Sequence, residues 1–303
     1  MSQKSKVEKF FITAGKATSL LQLLTANLPE RYDPKEVLSS GGVWLERKRI
    51  TDPSYMMSPQ ETVKVHTSSF QGKKYVLDPA HIIFENSDLM VVYKPTNLNV
   101  HGVPSSQYYH LMHGVNVYLE QQGAGFAANP VTRLDRPVEG LVIFPKNKTS
   151  ERKLFELIKK RKIKKWYMAA LEKRDTTSPK YLRITDNITN DGDHTFHDQE
   201  GKVADSLFVK VASLERADIY SVYIFTGRRH QIRFHAAQYL APIIGDRFYG
   251  SSAQLPPDEI ALICRGYNIP YQKETLRIRL PEVFLEQFRA KLSCLPTSTR
   301  ANI

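Results

Sequence analysis

The chain has 303 residues, 41% hydrophobic and 10% aromatic, which is enough for a sizeable core and excludes wholesale disorder. Lys and Arg outnumber Asp and Glu 43 to 31, a formal charge of +12, and a balance of that kind points to a polyanionic partner, most often nucleic acid. The two cysteines, Cys264 and Cys294, stand in no metal-ligand spacing, no apolar run reaches the length of a bilayer span, and the N-terminal residues have no apolar signal region, so a cytoplasmic protein with no membrane partner is expected.

Residues 1–12 read as a basic, loosely ordered lead-in, and residues 13–70 as a small module. Within that module "ATSLLQLLTANLP" places Leu20, Leu21, Leu24 and Leu28 on one helical face. "DPKEVLSS" reads as a second helix, with Asp33 as N-cap and Pro34 as first residue. "GGVWLERKRI" and "ETVKVHTSS" read as strands, separated by turn signals in "TDPSYMMSP". Residues 71–78 read as a linker.

A larger domain is expected over residues 79–295, with a tail at 296–303. "HIIFENSDLMVVYKPTNLNV" reads as two short strands around an Asn-Ser-Asp turn. "KTSERKLFELIKKRKIKK" is a basic helix with Leu154, Leu157 and Ile158 as its apolar stripe and Ser150 as its cap. "KKWYMAALE" reads as a strand, and "DNITNDGDHTFHDQEGK" as a polar loop. "SLFVKVASL" and "DIYSVYIF" form a hairpin, followed by a short helix at "HQIRFHAAQYL". Strands predominate without a regular βαβ repeat, so the fold class is α+β with a mixed, largely antiparallel sheet.

Three stretches carry candidate chemistry. In "TRLDRPVEGLVIF", Arg133 and Asp135 point the same way on an extended backbone while Leu134 anchors the other face. Arg133 and Arg136 flank the Asp135 carboxylate, and the arrangement reads either as a surface salt bridge in a loop, worth little, or as guanidinium groups that keep a carboxylate charged at a cleft. In "TGRRHQIRFHAAQYLAPIIGDRFYG", a strand gives way to a helix at Thr226 and Gly227, where exposed amides favour anions. Arg229 and Arg233 are four residues apart and share a helix face, with Ile232 and Ala236 packing beneath. In "KKWYMAA", Lys165 and Tyr167 lie on one strand face and Trp166 on the other; the tyrosine serves either as core or as a platform for a base.

These stretches, together with "GKVADSLFVKV" and "HIIFENSDLMVVYKPTNLNVHG", follow one another in the order of the motifs of the RluA family of pseudouridine synthases, which the chain resembles over roughly residues 78–285. The module before them resembles, more faintly, the RNA-binding module of ribosomal protein S-four. The resemblance implies isomerisation of a uridine in RNA, ribosomal RNA ahead of transfer RNA; the reaction needs neither cofactor nor metal, and a monomer is the default expectation. It implies that Asp135 is the essential carboxylate, that Arg233 pairs with it and that Tyr167 packs on the target uracil. Arg133 fills the stack when the base swings out. Arg136, Lys165, Arg228, Arg229, His230, Ile232 and Lys94 complete the expected RNA-binding set. The chain departs from the family pattern at Thr132, Val138, Glu139 and Arg229, and at Ile263-Cys264-Arg265. Glu139 matters most, because it adds a negative charge beside the site.

Extruding a stacked base costs a few kcal/mol, which a stacking tyrosine and an intruding arginine offset. A non-catalytic RNA-binding protein on the same fold and a nucleic-acid glycosylase are the competing readings. The glycosidase schemes need two cooperating carboxylates, and only Asp135 has a persuasive setting. "NDGDHTFHD" gathers Asp191, Asp193, His194, His197 and Asp198, and reads as a solvated loop ahead of a metal site. Lys159, Lys160, Arg161 and Lys162, and "ERKR" at residues 46–49, are candidate phosphate contacts. His110 and His113 read as rim or surface residues.

Overall fold

The computed structural model describes residues 8–67, 73–174, 178–192, 194–256 and 258–293. The first residues of the expected lead-in, the start of the linker, the tail, Asp193 and Cys294 lie outside the described residues. The chain forms two compact units; the first combines the N-terminal residues to Leu77 with Leu98–Ala127, and the second takes Asp78–Asn97 and the chain from Ala128 onward.

The first unit contains strands β1 (Glu8–Thr13), β2 (Thr18–Ser19), β3 (Val43–Leu45), β4 (Lys48–Ile50), β5 (Met56–Met57) and β6 (Thr62–Thr67), and helices α1 (Leu20–Asn27), α2 (Pro34–Ser39) and α3 (Leu111–Gln121). Its main sheet runs β1-β6-β3-β4. Glu8–Ile12, expected as lead-in, belongs to this sheet: Ile12 is buried and Phe10 packs on the core, so the alternation continues to the strand's first turn. Asp33 caps α2 and Pro34 opens it, as its sequence predicts. In α1 it is Leu23, not Leu21, that is buried beside Leu20 and Leu24. "GGVWLERKRI" is itself a hairpin, turning at Glu46 in a left-handed conformation.

Leu98–Ala127, expected in the larger domain, packs on this module instead. Trp44 Nε1 donates to the Pro104 carbonyl at 3.2 Å, Arg49 donates to Val103 O at 3.2 Å, and Gln107 N donates to Ser40 O at 2.8 Å. His110, expected at a rim, is buried at the head of α3, where its Nδ1 accepts from His113 N.

The second unit is built on a ten-stranded sheet. Its strands are β7 (Ile82–Glu85), β8 (Leu89–Lys94), β9 (Glu139–Pro145), β10 (Lys164–Glu172), β11 (Tyr181–Asp191), β12 (His194–His197), β13 (Lys202–Ser213), β14 (Ala217–Ile224), β15 (Leu262–Tyr271) and β16 (Glu274–Arg279). Helices α4 (Lys148–Lys159), α5 (Gln231–Tyr239) and α6 (Glu282–Ser293) accompany it. The order is β12-β11-β13-β14-β10-β15-β9-β8-β7, with β16 also paired to β15. Among the described residues every strand pairing of this sheet is antiparallel except β9 with β15, so the sheet is mixed and largely antiparallel. β8 and β9 are buried along their whole length, as their continuous apolar runs require. The parallel bridge of Gly140 to Cys264 brings the two backbones so close that a Cβ at Gly140, whose φ is +117°, would overlap the Cys264 peptide.

Two local readings change. Asn147, not Ser150, caps α4; Ser150 is the third helical residue and answers with its own side chain in a capping box. The segment expected as a polar loop is the hairpin of β11 and β12, turning at Gly192. Ile188 and Thr195 are buried there while their neighbours face out, the half-polar alternation of a sheet edge. Among the described residues no helix is long and apolar enough to cross a membrane.

Candidate active site

Asp135 lies in the loop that leads into β9. That loop is fastened at both ends: Val131 N donates to Ile143 O at 2.8 Å, and Val138 N donates to Asp135 O at 3.1 Å. Thr132 is buried, and its Oγ1 accepts from Ile143 N at 3.1 Å and from the Tyr267 hydroxyl at 3.2 Å. Leu134 is buried beneath the loop. The carboxylate stands on the wall of a cleft of about 480 Å³, lined also by Arg133, Lys165, Tyr167, Arg228 and Arg229. A smaller recess beside it shares Arg133, Asp135, Tyr167 and Arg228, and adds His230, Ile232 and Arg233.

The basic groups against Asp135 come from α5 and the turn before it. Arg233 NH1 lies 3.5 Å from Asp135 Oδ2, and His230 Nε2 lies 3.7 Å from the same oxygen. Arg233 is held more tightly by Asp246: Nε donates to Oδ2 at 2.6 Å and NH2 to Oδ1 at 2.8 Å. Burial opposes the guanidinium charge, yet Asp246, and behind it Asp135, keep its pKa above the usual arginine range. His230 has a left-handed backbone, φ 52°, and its Nδ1 meets the Tyr249 hydroxyl at 3.0 Å. Burial pushes its pKa down, with Asp135 opposing, so the ring is neutral at neutral pH.

That left-handed residue also starts α5 later than its sequence predicts. Arg229 therefore precedes the helix and does not share a face with Arg233; it lines the larger cleft and donates to Gly192 O at 2.8 Å. The turn itself is tied by Gln231, whose Oε1 accepts from Arg228 N at 3.0 Å and from the Thr226 hydroxyl at 2.8 Å. Thr226 is thus a buried strut and not an exposed anion site. Arg228 Nε donates to Val203 O.

Tyr167 is buried in the floor of the cleft, and burial raises its phenol well above its ordinary range. Cys264, also buried, stands opposite it on β15. Lys165, on the same face of β10, is lowered by burial. From the basic segment, Lys159 and Arg161 line the cleft, while Lys160 pairs with Glu156 at 3.4 Å.

Two of the expected contacts lie elsewhere. Arg136 turns away from the cleft and pairs with Asp258 at 2.7 Å. The flanking arginines thus leave the pairing of Asp135 to α5. Lys94 is fully buried; its ammonium donates to the carbonyls of Pro95 at 2.8 Å and Arg136 at 3.1 Å, so it fastens the loop from behind and presents nothing to a ligand. Burial pushes its pKa down to about 7, with Glu139 and Asp135 opposing. Glu139 is buried too, and the charge it brings is matched: it accepts from the Tyr93 hydroxyl at 2.6 Å and from Lys291 Nζ at 3.0 Å. Asp246, Gln231 and Lys291 are the partners that local sequence reading missed. "GDRFYG" was the one visible hint, a charged Asp-Arg pair set against two aromatic residues between glycines. In the acidic segment, His197 Nδ1 meets Asp186 at 2.6 Å, and no group of three or more metal-ligating side chains gathers among the described residues.

Residues 88–238 match the family model described as RNA pseudouridylate synthase. A protein of Aquifex aeolicus named as an uncharacterized RNA pseudouridine synthase is 29% identical over 274 residues, 86% of this chain and 85% of its own. The ribosomal large subunit pseudouridine synthase C of Buchnera aphidicola is 29% identical over 235 residues, 71% of each chain. Among solved structures, human RNA pseudouridylate synthase domain containing 4 superposes with a TM-score of 0.57 at 19% identity, over 73% of this chain and 95% of that one, a likeness of fold. With its mixed sheet, its cleft and these relatives, the chain belongs to the RNA pseudouridylate synthase family and is an isomerase that acts on RNA.

Proposed function

We propose that the protein converts a specific uridine of large-subunit ribosomal RNA to pseudouridine, with Asp135 as the reacting carboxylate. The carrying observation is the placement of Asp135 in one cleft with Tyr167, 3.5 Å from Arg233. The reaction breaks the bond from N1 of the uracil to C1′ of the ribose and forms one from C5 to C1′. The proton lost from C5 is balanced by one gained at N1, so nothing is added or oxidised. Two routes start from the same Asp135 anion, attack on the sugar or removal of a sugar proton. Either needs a charged carboxylate out of bulk water, and a guanidinium against it offsets that loss of solvation.

The cleft suits a base turned out of its stack. Tyr167 offers a ring for the uracil, Ile232 an apolar wall, and Arg133 an exposed cation at the mouth that can occupy the vacated stack. Lys165, Arg228, Arg229, Lys159 and Arg161 supply positive charge for phosphates on the approach. The first unit serves as a further RNA-binding module, with exposed Arg47 and Lys48 in its β3–β4 hairpin. The Buchnera relative, a large-subunit synthase by name, supports ribosomal RNA as the target.

The test is incubation of the full chain with a transcript of large-subunit ribosomal RNA, with pseudouridine mapped by carbodiimide adducts and primer extension. Asp135→Asn should lose at least about 10³-fold in rate, the scale of a lost nucleophile or base. Free uracil as product would assign the site to glycosylase chemistry. RNA binding without any product, equal in the variant, would assign it to a binding protein.

A further inference from the structure

On β10 the side chains alternate, so Lys165 and Tyr167 face the cleft while Trp166 faces the opposite side of the sheet. Trp166 stands opposite Tyr223 on β14 and Gly266 on β15, and Gly266 stands opposite Arg279 on β16. The indole lies across the bare Gly266 backbone; a Cβ there would meet Trp166 Cε2 at 2.8 Å. Arg279 lies over the indole, with its guanidinium carbon 3.8 Å from the ring centroid.

Three neutral acceptors fix that guanidinium. NH1 donates to Tyr267 O at 3.0 Å and Ile278 O at 2.8 Å, and NH2 donates to Asn268 Oδ1 at 3.0 Å. Arg279 nevertheless remains exposed, as is Tyr223 at 39%. Arg265, the extra residue of a β-bulge, and Arg277 add two more positive charges; after burial, these two are what lower the Arg279 pKa. Among the described residues no ion pair links Arg265, Arg277 or Arg279 to a carboxylate. A flat, rigid cation on an aromatic base, with uncompensated charge around it, costs electrostatic energy unless an anion joins it.

We propose that this Trp166–Arg279 stack is a second RNA-binding surface, on which an unpaired nucleotide flanking the target uridine stacks while Arg265 and Arg277 hold its phosphates. The inference rests on the proposed RNA substrate. A guanidinium held flat by its own backbone is suited to the face of a base. It is less suited to an acidic peptide, since three of its five N–H donors, both of NH1 and one of NH2, are already taken and the NH1/NH2 edge is closed to a bidentate carboxylate. Trp166 and Tyr167 are successive residues of one strand, so a single-stranded segment running round the sheet by exposed Lys164 reaches both faces.

The test uses the full chain and two fluorescent probes, an oligouridine of about 20 nucleotides and one of about 5, the latter able to fill the cleft alone. The double variant Arg265→Glu/Arg277→Glu should bind the longer strand at least about tenfold more weakly. Its salt dependence should flatten by about 1.4 in log–log slope, two contacts at about 0.7 each. Affinity for the shorter strand should not change. A 4-thiouridine-substituted long strand should crosslink, mapped to the single residue, at Trp166 or Tyr223 and not only at their cleft-facing neighbours Tyr167 and Ile224 in the wild-type chain, a readout independent of whether any variant folds. Unchanged long-strand affinity and slope in a variant of wild-type melting temperature would overturn the proposal, and so would crosslinks confined to the cleft. Loss of polyglutamate binding with oligouridine binding intact would give the face to an acidic protein and likewise overturn it. Pseudouridine formation by the wild-type chain is scored separately, so failure of the isomerase reading and failure of this surface are distinguishable.

Discussion

Arg233 gives Nε and NH2 to Asp246, at 2.6 and 2.8 Å, and leaves NH1 alone toward Asp135, at 3.5 Å. One guanidinium thus lies between two carboxylates, one of them 1% exposed and the other on the cleft wall. Asp246 sets the plane of the guanidinium, and that plane determines what faces Asp135.

Asp246→Asn should therefore damage both stability and rate. The buried arginine would lose its charged partner, at about 3 kcal/mol. With NH1 no longer aimed, the rate constant for pseudouridine formation should fall about 10²-fold while RNA affinity stays near wild type. Guanidinium denaturation and single-turnover kinetics check the two halves separately. A wild-type rate in a destabilised variant would show that Arg233 holds its aim without Asp246.

Lys94 acts at a greater remove. It touches no part of the cleft, but it joins the carbonyls of Pro95 and Arg136, and Arg136 follows Asp135 directly. Lys94→Met loses those bonds but also removes a buried charge, so stability should change by less than about 2 kcal/mol. The loop carrying Asp135 loses its tether, and the single-turnover rate should fall with little change in RNA affinity. If affinity falls and the rate does not, Lys94 contacts RNA after all.

Asp135, Tyr167 and Arg233 were legible in the sequence because each sits in a stretch whose residue order is itself a signature. Their neighbours were not. Asp246 is 13 residues from Arg233, and only the return of the chain after α5 makes them a pair. Lys291 is 152 residues from Glu139, beyond any spacing rule. Reading Arg229 and Arg233 as one helix face assumed a helix that began early, and the left-handed turn at His230 defers it. The largely antiparallel sheet was legible from strand-rich alternation. The β11–β12 hairpin was not, because polar residues on the open side of an edge hide the buried ones beneath.

His235 makes a pH-dependent contribution whose sign follows from its burial. It is fully buried on α5, with Nδ1 at 3.1 Å from the Ser206 hydroxyl, and burial pushes its pKa down from 6.5 to about 4. Between those values the unfolded chain binds the proton and the folded chain does not, so stability falls as pH drops from 6.5 toward 4 and is fully present above 6.5. The span corresponds to about 3 kcal/mol. Denaturation midpoints measured across that range should slope less in His235→Phe than in the wild-type chain; parallel curves would assign the acid sensitivity to other groups.

Glu139 poses a sharper question, since an extra carboxylate near Asp135 should repel the same phosphates and compete for the same cations. Its geometry answers it. Neither cleft nor recess is lined by Glu139, and Lys291 Nζ lies 3.0 Å from both Glu139 and Glu259. Burial opposes the lysine charge, but the two carboxylates hold its pKa above the ordinary value. Lys291→Met should strand two half-buried or buried carboxylates and cost about 3 kcal/mol. Adding Glu139→Gln should restore part of that loss, since the pair couples directly. Activity per folded molecule should remain near wild type in the double variant, because the charge is neutralised away from the cleft. A large drop in that activity, with stability restored, would mean that Glu139 takes part in the reaction.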